Sequence, residues 1–466
     1  MNIQFIIRHF IRGFYLKSSF TYRFKGKLIL QKFKGVKTYN SAPLALFRCA
    51  NFFNSNRFII SLAINIISMI NNRNILCISG TEWNGNYIKA VVELMKVLSA
   101  KNKILFVENA YTYKDAIAGV SDKDKIDFAK AFGLKSRIKT IQTDKGGTVH
   151  VLFPPLVFPV NFLPNGMLYN NLLKFNGWLL RRSVKKALKK LDMQDELINF
   201  TSFNPGMGLI TGRTFNEKTL IYHCYDEIKG APYWLSKHGL RLEAGFMKMA
   251  DAVIVTSKGL YDSKKDFCKQ CFIVKNAVKV DLFKKGFNNT PDHTKKVVGY
   301  VGTIDDRSDY NILQYLFTSL PDAEFVFVGR ILSERGEAIL RKYPNVKVEG
   351  PKMPEQLPPY LQTFSVGIIP FVKDDFTKGI YPMKINEYLA AGLPVVSTNF
   401  GDIADFRNLI KITDDKETFM QYVLAEMAGD TPQKREARLK TAESNTWDKR
   451  ADELSAVIEQ VEDGLK

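Results

Sequence analysis

From residue 74 onward, short apolar runs alternate with stretches whose apolar residues recur at helical spacing. Asn74 to Ser79 (NILCIS) is nearly all apolar and stops at Gly80. The following stretch places Val91, Leu94, Met95 and Leu98 on one helical face, and Lys103 to Val107 (KILFV) reads as the next strand. Further strands are expected at Val149–Phe153, Leu197–Thr201, Thr219–Tyr222, Ala252–Thr256 and Phe272–Lys275. Runs this apolar, separated by helices, predict a parallel sheet covered on both faces. A polar, turn-rich segment (286–294, GFNNTPDHT) then interrupts the pattern. After it a second alternation begins, with VVGYVG, FVFVGR, VKVEG, VGIIPF and LPVVST in order. The expected architecture is α/β: two Rossmann-like, doubly wound domains at 74–287 and 295–440, facing a cleft, with a C-terminal helix in 441–466. Ligands on open parallel sheets bind beyond the carboxyl ends of the strands, so the cleft is the expected site.

The first 73 residues follow a different pattern. Ile3, Ile6, Ile7, Phe10, Ile11 and Phe14 recur at helical spacing, with Gln4, Arg8 and Arg12 along another face. From Phe58 to Ile70 the polar residues form one narrow stripe, so most of that circumference must be buried in protein or lipid. Charge sharpens the contrast. Of 67 Lys and Arg in the 466 residues, 12 precede Glu82, the first acidic residue, which leaves 55 against 47 acids and a net +8 out of +20. A basic amphipathic extension with interleaved aromatics is the pattern of an interfacial segment. Residues 1–73 are therefore read as an address for an anionic membrane surface, with packing on the protein as the alternative. Neither stretch reaches the ~18 apolar residues of a membrane span, and early arginines argue against a signal peptide. Beyond the first block the charge is nearly balanced, and no nucleic-acid-binding module is recognisable.

Five cysteines spread through the chain do not suggest a disulfide framework. Cys268 and Cys271 form a lone C-x-x-C without a second pair, a weak metal or redox signal. The expectation is a reduced, cytoplasmic protein at the inner face of the cell membrane.

The chemically richest stretch is 381–398, YPMKINEYLAAGLPVVST. Pro382 suits a helix start, Gly392 a helix stop, and LPVVS a buried strand. Lys384 in the first turn opposes the helix dipole, which makes sense where an anion occupies the helix N-terminus. Glu387 lies one turn deeper on the same face. Taken alone, this pair also fits an ordinary surface ion pair.

This stretch resembles the donor-binding motif of the GT-B glycosyltransferases, in particular the family-4-like group of bacterial surface polysaccharide synthesis. The resemblance extends over residues 74–466 and includes YVGTIDDRSD (300–309), FVFVGR (325–330), NVKVEGP (345–351), VGIIPF (366–371) and NTWDKRADEL (445–454). YHCYDE (222–227) and ADAVIVTSKGLYDSKK (250–265) are similar to the end of the family's first domain. It implies transfer of a sugar from a nucleotide-diphosphate sugar, such as a UDP-sugar, to a saccharide or lipid-linked glycan. Anomeric configuration would be retained and no metal or other cofactor required.

Residue by residue, the resemblance implies that Glu387 binds the donor ribose, and Lys384, Gly302 and Thr303 its diphosphate. Arg307 would be the countercharge to the leaving diphosphate, and Gly350 and Pro351 would border the base. Gly80 and Gly85 would flank a loop facing the donor phosphates and the acceptor. Asp226 would orient the acceptor hydroxyl, and His223 would hydrogen-bond the transferred sugar. Ile380 stands where many members carry a second acid, so contact with the sugar is assigned to backbone around Lys378 and Gly379. Asn276-Ala277-Val278-Lys279 replaces a common N-G-V-D, and Thr303 replaces a common basic residue. A non-hydrolysing sugar-nucleotide epimerase and a catalytically silent GT-B-like scaffold are the alternatives.

Overall fold

The computed structural model describes residues 69–85, 87–118, 130, 134–230, 233–290 and 292–465. The expected amphipathic stretch at 3–14, and all but the last two residues of that at 58–70, lie outside the described residues.

The first sheet has eight strands: β1 (Asn74–Ser79), β2 (Lys103–Val107), β3 (Ile138–Gln142), β4 (Thr148–Leu152), β5 (Leu197–Ser202), β6 (Thr219–Cys224), β7 (Ala252–Val255) and β8 (Cys271–Ile273). Their order is β3-β4-β2-β1-β5-β6-β7-β8. All neighbours are parallel except β3, which pairs antiparallel with β4 at the edge. Alternation along β1 and β2 explains their apolar sequences. Ile75, Cys77, Ile104 and Phe106 enter a core shared with helix α1 (Ala90–Leu98). Leu76, Ile78, Leu105 and Val107 enter the opposite one, shared with helix α2 (Met167–Lys190). A strand buried on both faces has no polar side to reveal a period. Helix α3 (Lys258–Lys264) follows β7, capped by Ser257, whose hydroxyl accepts from the Leu260 amide.

The second sheet is parallel throughout and comprises β9 (Val297–Val301), β10 (Glu324–Val328), β11 (Val346–Gly350), β12 (Val366–Ile369), β13 (Val395–Ser397) and β14 (Lys411–Ile412). Its order is β11-β10-β9-β12-β13-β14. Helix α4 (Met383–Ala390) precedes β13, and helix α5 (Pro432–Glu443) returns to this domain's core through Ala442. Pro382 sits at the cap of α4 rather than in its first turn, and Gly392 ends the helix with φ +73°.

Three features depart from the sequence reading. The edge strands β3 and β14 have no apolar signature and went unanticipated. β6 runs past His223 to Cys224. The C-terminal helix α6 (Trp447–Gly464) crosses back to the first domain, where Trp447, Ala451, Leu454 and Ile458 join the β1–β2 core. Arg73 donates to the Glu462 carboxylate at 2.5 and 3.0 Å, and Thr219 does so at 2.8 Å, fixing that return.

Chain order reverses between β1 and β5 in the first sheet and between β9 and β12 in the second. Strands diverge there, which opens a crevice at their carboxyl ends.

Candidate functional site

Those two crevices meet in a cleft of about 1110 Å³. Its walls include Gly80, Gly85 and Asp226 from the first domain and Gly302, Thr303, Arg307, Lys384 and Glu387 from the second. Residues far apart in sequence are thus brought together at the ends of β1, β6 and β9 and the start of α4.

On the second-domain side, β9 ends in Gly302, whose φ of +134° favours glycine. Its amide donates to the Val328 carbonyl at 2.9 Å. A Cβ there would fall 2.2 Å from Lys384 Cε, so only glycine lets the lysine lie across the turn. Helix α4 starts at this point without a side-chain cap, and its first-turn N–H groups retain the partial positive charge of a helix start. Lys384 adds a full charge. Its ammonium lies 5.6 Å from the Tyr300 ring centre and 5.3 Å from that of Phe371. Burial, reinforced by the like charge of Arg307, pushes the Lys384 pKa down. Burial pushes the Glu387 carboxyl up, partly offset by Lys384. Among the described residues, neither side chain has a hydrogen bond or an ion pair. Half-buried ionisable groups without a polar partner are costly, and two of them at one cleft wall mark a binding surface.

Arg307 is held rather than free. The Asp305 carboxylate accepts from its Nε at 2.8 and 3.0 Å and from Nη2 at 2.5 Å. Burial disfavours its charge, but the Asp305 hydrogen bond and charge outweigh this and raise its pKa. The guanidinium also lies 5.4 Å from the Phe371 ring centre. A cation so fixed needs little reorganisation when negative charge develops beside it.

On the first-domain side, the 80–85 loop is tightly specified. A Cβ on Gly80 would fall 2.6 Å from the Phe203 carbonyl oxygen. The Trp83 amide donates to Glu108 at 2.9 Å, and its ring meets the edge of Phe106. Lys89, which the sequence did not single out, is buried. Its ammonium donates to the carbonyls of Glu82 at 2.7 Å and Asn84 at 2.5 Å. The Tyr111 hydroxyl donates to the Glu82 carboxylate. A lysine bordering an apolar helix was the only sequence signal, since its partners are backbone oxygens.

Asp226 lies beyond the end of β6 and lines the cleft. Burial raises its carboxyl from the ordinary 3.8 to about 6, with Arg307 pulling it back. Its loop is anchored by a buried network in which the Lys264 ammonium meets Glu227 at 2.7 Å and Glu243 at 2.8 Å.

His223 requires a correction. It is 1% exposed and does not line the cleft. Because β6 continues to Cys224, His223 sits inside the ladder, with its Nδ1 and the Ser202 hydroxyl sharing a hydrogen bond of 3.0 Å. Burial lowers its pKa to about 4, leaving it neutral. Gly350, with φ +69°, also stands off the lining, whereas Pro351 and Lys352 reach it. Lys378 and Gly379 serve the domain contact instead. The Gly379 carbonyl accepts from Ser257 Oγ at 2.6 Å, and a Cβ on Gly259 would fall 2.2 Å from the Lys378 oxygen. Tyr225, Arg330 and Lys352 are further lining residues that the sequence did not mark. Among the described residues, no group of three or more His, Cys, Asp or Glu is placed to hold a metal ion.

Two doubly wound domains meeting at a polar cleft give the chain the GT-B fold, and it is similar in sequence and fold to glycosyltransferases. Residues 295–428 match the family described as "Glycosyl transferases group 1". TuaH of Bacillus subtilis (strain 168), described as a candidate teichuronic acid biosynthesis glycosyltransferase, is 27% identical over 215 residues. That match covers 42% of this chain and 54% of TuaH, about half the relative's own length. Sucrose-phosphate synthase from Thermosynechococcus elongatus superposes with a TM-score of 0.60 at 15% identity, covering 84% of this chain and 99% of that one. HepE of Anabaena, solved with UDP and glucose, gives 0.57 at 13% identity, covering 83% and 100%.

Proposed function

We propose that this protein is a glycosyltransferase that moves a sugar from a nucleotide-diphosphate sugar to a saccharide or lipid-linked glycan, with retention of configuration, in surface polysaccharide synthesis. The observation that carries the reading is the convergence of Glu387, Lys384, Arg307 and the Gly302 turn on one wall of the cleft, opposite Asp226 and the 80–85 loop. Lys384, the uncapped start of α4 and Arg307 suit a diphosphate. Glu387, an acceptor without a partner, suits ribose hydroxyls. As the glycosidic bond breaks, charge grows on the leaving diphosphate, and Arg307 and Lys384 stabilise it from fixed positions. This role for two cations and a helix start assigns no step to a metal. Asp226 accepts a hydrogen bond from the attacking hydroxyl and holds it against the anomeric carbon. The relative named for teichuronic acid synthesis supports a polymer-building role. Residues 1–73, basic and rich in apolar residues, support work at the inner face of an anionic membrane.

The test is a thermal-shift screen of UDP-, GDP-, dTDP- and ADP-sugars, followed by nucleotide release with membrane extract as acceptor source. Acceptor-dependent release of one nucleotide is expected. Epimerised donor without acceptor would identify an epimerase instead, and binding without turnover a scaffold.

A further inference from the structure

Helix α2 carries an outer face that none of the described residues covers. Its inner side, including Tyr169, Leu173, Leu180 and Val184, is buried. On the outer side Met167 and Leu168 are 80% and 62% exposed, and Phe175 and Trp178 43% and 45%. Phe162, in the loop before the helix, is 69% exposed. A solvated helix face is normally polar, and an exposed apolar run of this kind marks an interaction surface. The rings are ordered among themselves. Phe175 lies 5.8 Å from Phe158 and 5.6 Å from Trp178, and the Arg182 guanidinium sits 5.8 Å from the Trp178 ring centre.

Charge on this helix has one sign. Its 24 residues include seven Lys or Arg and no Asp or Glu, mostly in the C-terminal half, where Lys185, Lys186, Lys189 and Lys190 are exposed. The location also matters. β4 is parallel to β2, which leads directly to Asn109 and Tyr111 in the cleft wall. The loop from β4 to α2 therefore leaves from the cleft end of the domain, and Tyr111 stacks on Phe153 in that loop at 5.9 Å.

We propose that this face docks on an anionic lipid bilayer, with Phe162, Met167, Leu168 and Trp178 in the interface and the lysines of the later turns over the headgroups. Apolar and aromatic residues at one end and lysines along the rest match the two components of interfacial binding. A second copy would present the same positive charge. Nucleic acid would satisfy the charge but leave the apolar end exposed. Docked this way, the acceptor side of the cleft lies at the membrane surface, where a glycan on a lipid anchor is presented. Only that last consequence rests on the function proposed above.

The experiment uses the full-length protein and vesicles of equimolar phosphatidylcholine and phosphatidylglycerol, with no nucleotide or acceptor. The double variants Phe162→Ser/Trp178→Ser and Lys185→Glu/Lys189→Glu should each weaken flotation with the vesicles by about ten-fold or more. Circular dichroism and nucleotide binding should be unchanged. Acyl-brominated lipid should quench wild-type tryptophan fluorescence, and Trp178→Phe should remove that component while the protein still binds. Wild-type flotation by both double variants, or quenching unaltered by Trp178→Phe, would overturn the proposal and leave the bilayer to residues 1–73. Failure of the wild type to float with the vesicles, whether or not it binds duplex DNA, would overturn it as well. Because the assay contains no donor, its failure leaves the glycosyltransferase reading untouched, and the reverse holds.

Discussion

Asp226 ties burial to chemistry most directly. Its carboxyl ionises near pH 6 in the fold and near 3.8 when exposed. Between those values the native state binds more protons than the unfolded chain, so stability falls as pH rises through the window and stays lowered above it. Asp226→Asn should therefore raise the melting temperature at pH 7 and above, with the gain vanishing below about pH 4. In the proposed reaction the ionised form orients the acceptor. kcat/KM should then climb through a midpoint near pH 6 in the wild type and lose that limb in Asp226→Asn, as a pH–rate profile would show. Lys89 acts at a distance from the reacting groups. Lys89→Met should cost about 2 kcal/mol in denaturant unfolding, because two carbonyls lose a charged donor, and it should raise KM more than it lowers kcat. Lys384 and Glu387 were legible in sequence because their relation is local, one turn apart on one helix. His223 was misplaced because its environment depends on where β6 ends, and Lys89 was invisible because it binds backbone oxygens that only the folded loop presents.

At the scale of elements, the β9 turn and the start of α4 form one unit built on close approach. Gly302→Ala would bring a Cβ to 2.2 Å from Lys384 Cε in a backbone region unfavourable to alanine. Donor affinity measured by calorimetry should fall by about ten-fold or more. Global stability should fall far less, since the turn lies at the cleft surface. The central strands were readable because burial on both faces leaves an uninterrupted apolar run, as in NILCIS and KILFV. Edge strands β3 and β14 are partly solvated and short, so no such run identifies them. Proline and glycine bracketed α4 correctly to within a residue, since both act through local backbone geometry.

In the whole molecule, helix α6 links the two domains by starting from the second and closing the core of the first. Its Glu462 faces Arg73 and Thr219, both largely buried. Glu462→Ala leaves Arg73 without its main partner and should cost about 2 kcal/mol, less than a fully buried pair because Arg73 keeps some water contact. Chemical denaturation would measure this, and Arg73→Met in the same background should recover part of the loss. The sequence showed α6 as a helix but not its destination, which depends on a tertiary contact spanning almost 400 residues. The two-domain plan itself was legible, since each half repeats the same alternation around a polar join.

In the proposed reaction one wall of the cleft binds a nucleoside diphosphate through Lys384, Arg307 and Glu387. Titrating UDP, GDP, dTDP and ADP calorimetrically into the wild type and Glu387→Ala tests it most directly. Saturable one-site binding of at least one nucleotide by the wild type is expected, and its loss in Glu387→Ala with an unchanged circular dichroism spectrum. Equal binding by both proteins, or binding of none of the four by the wild type, would contradict it.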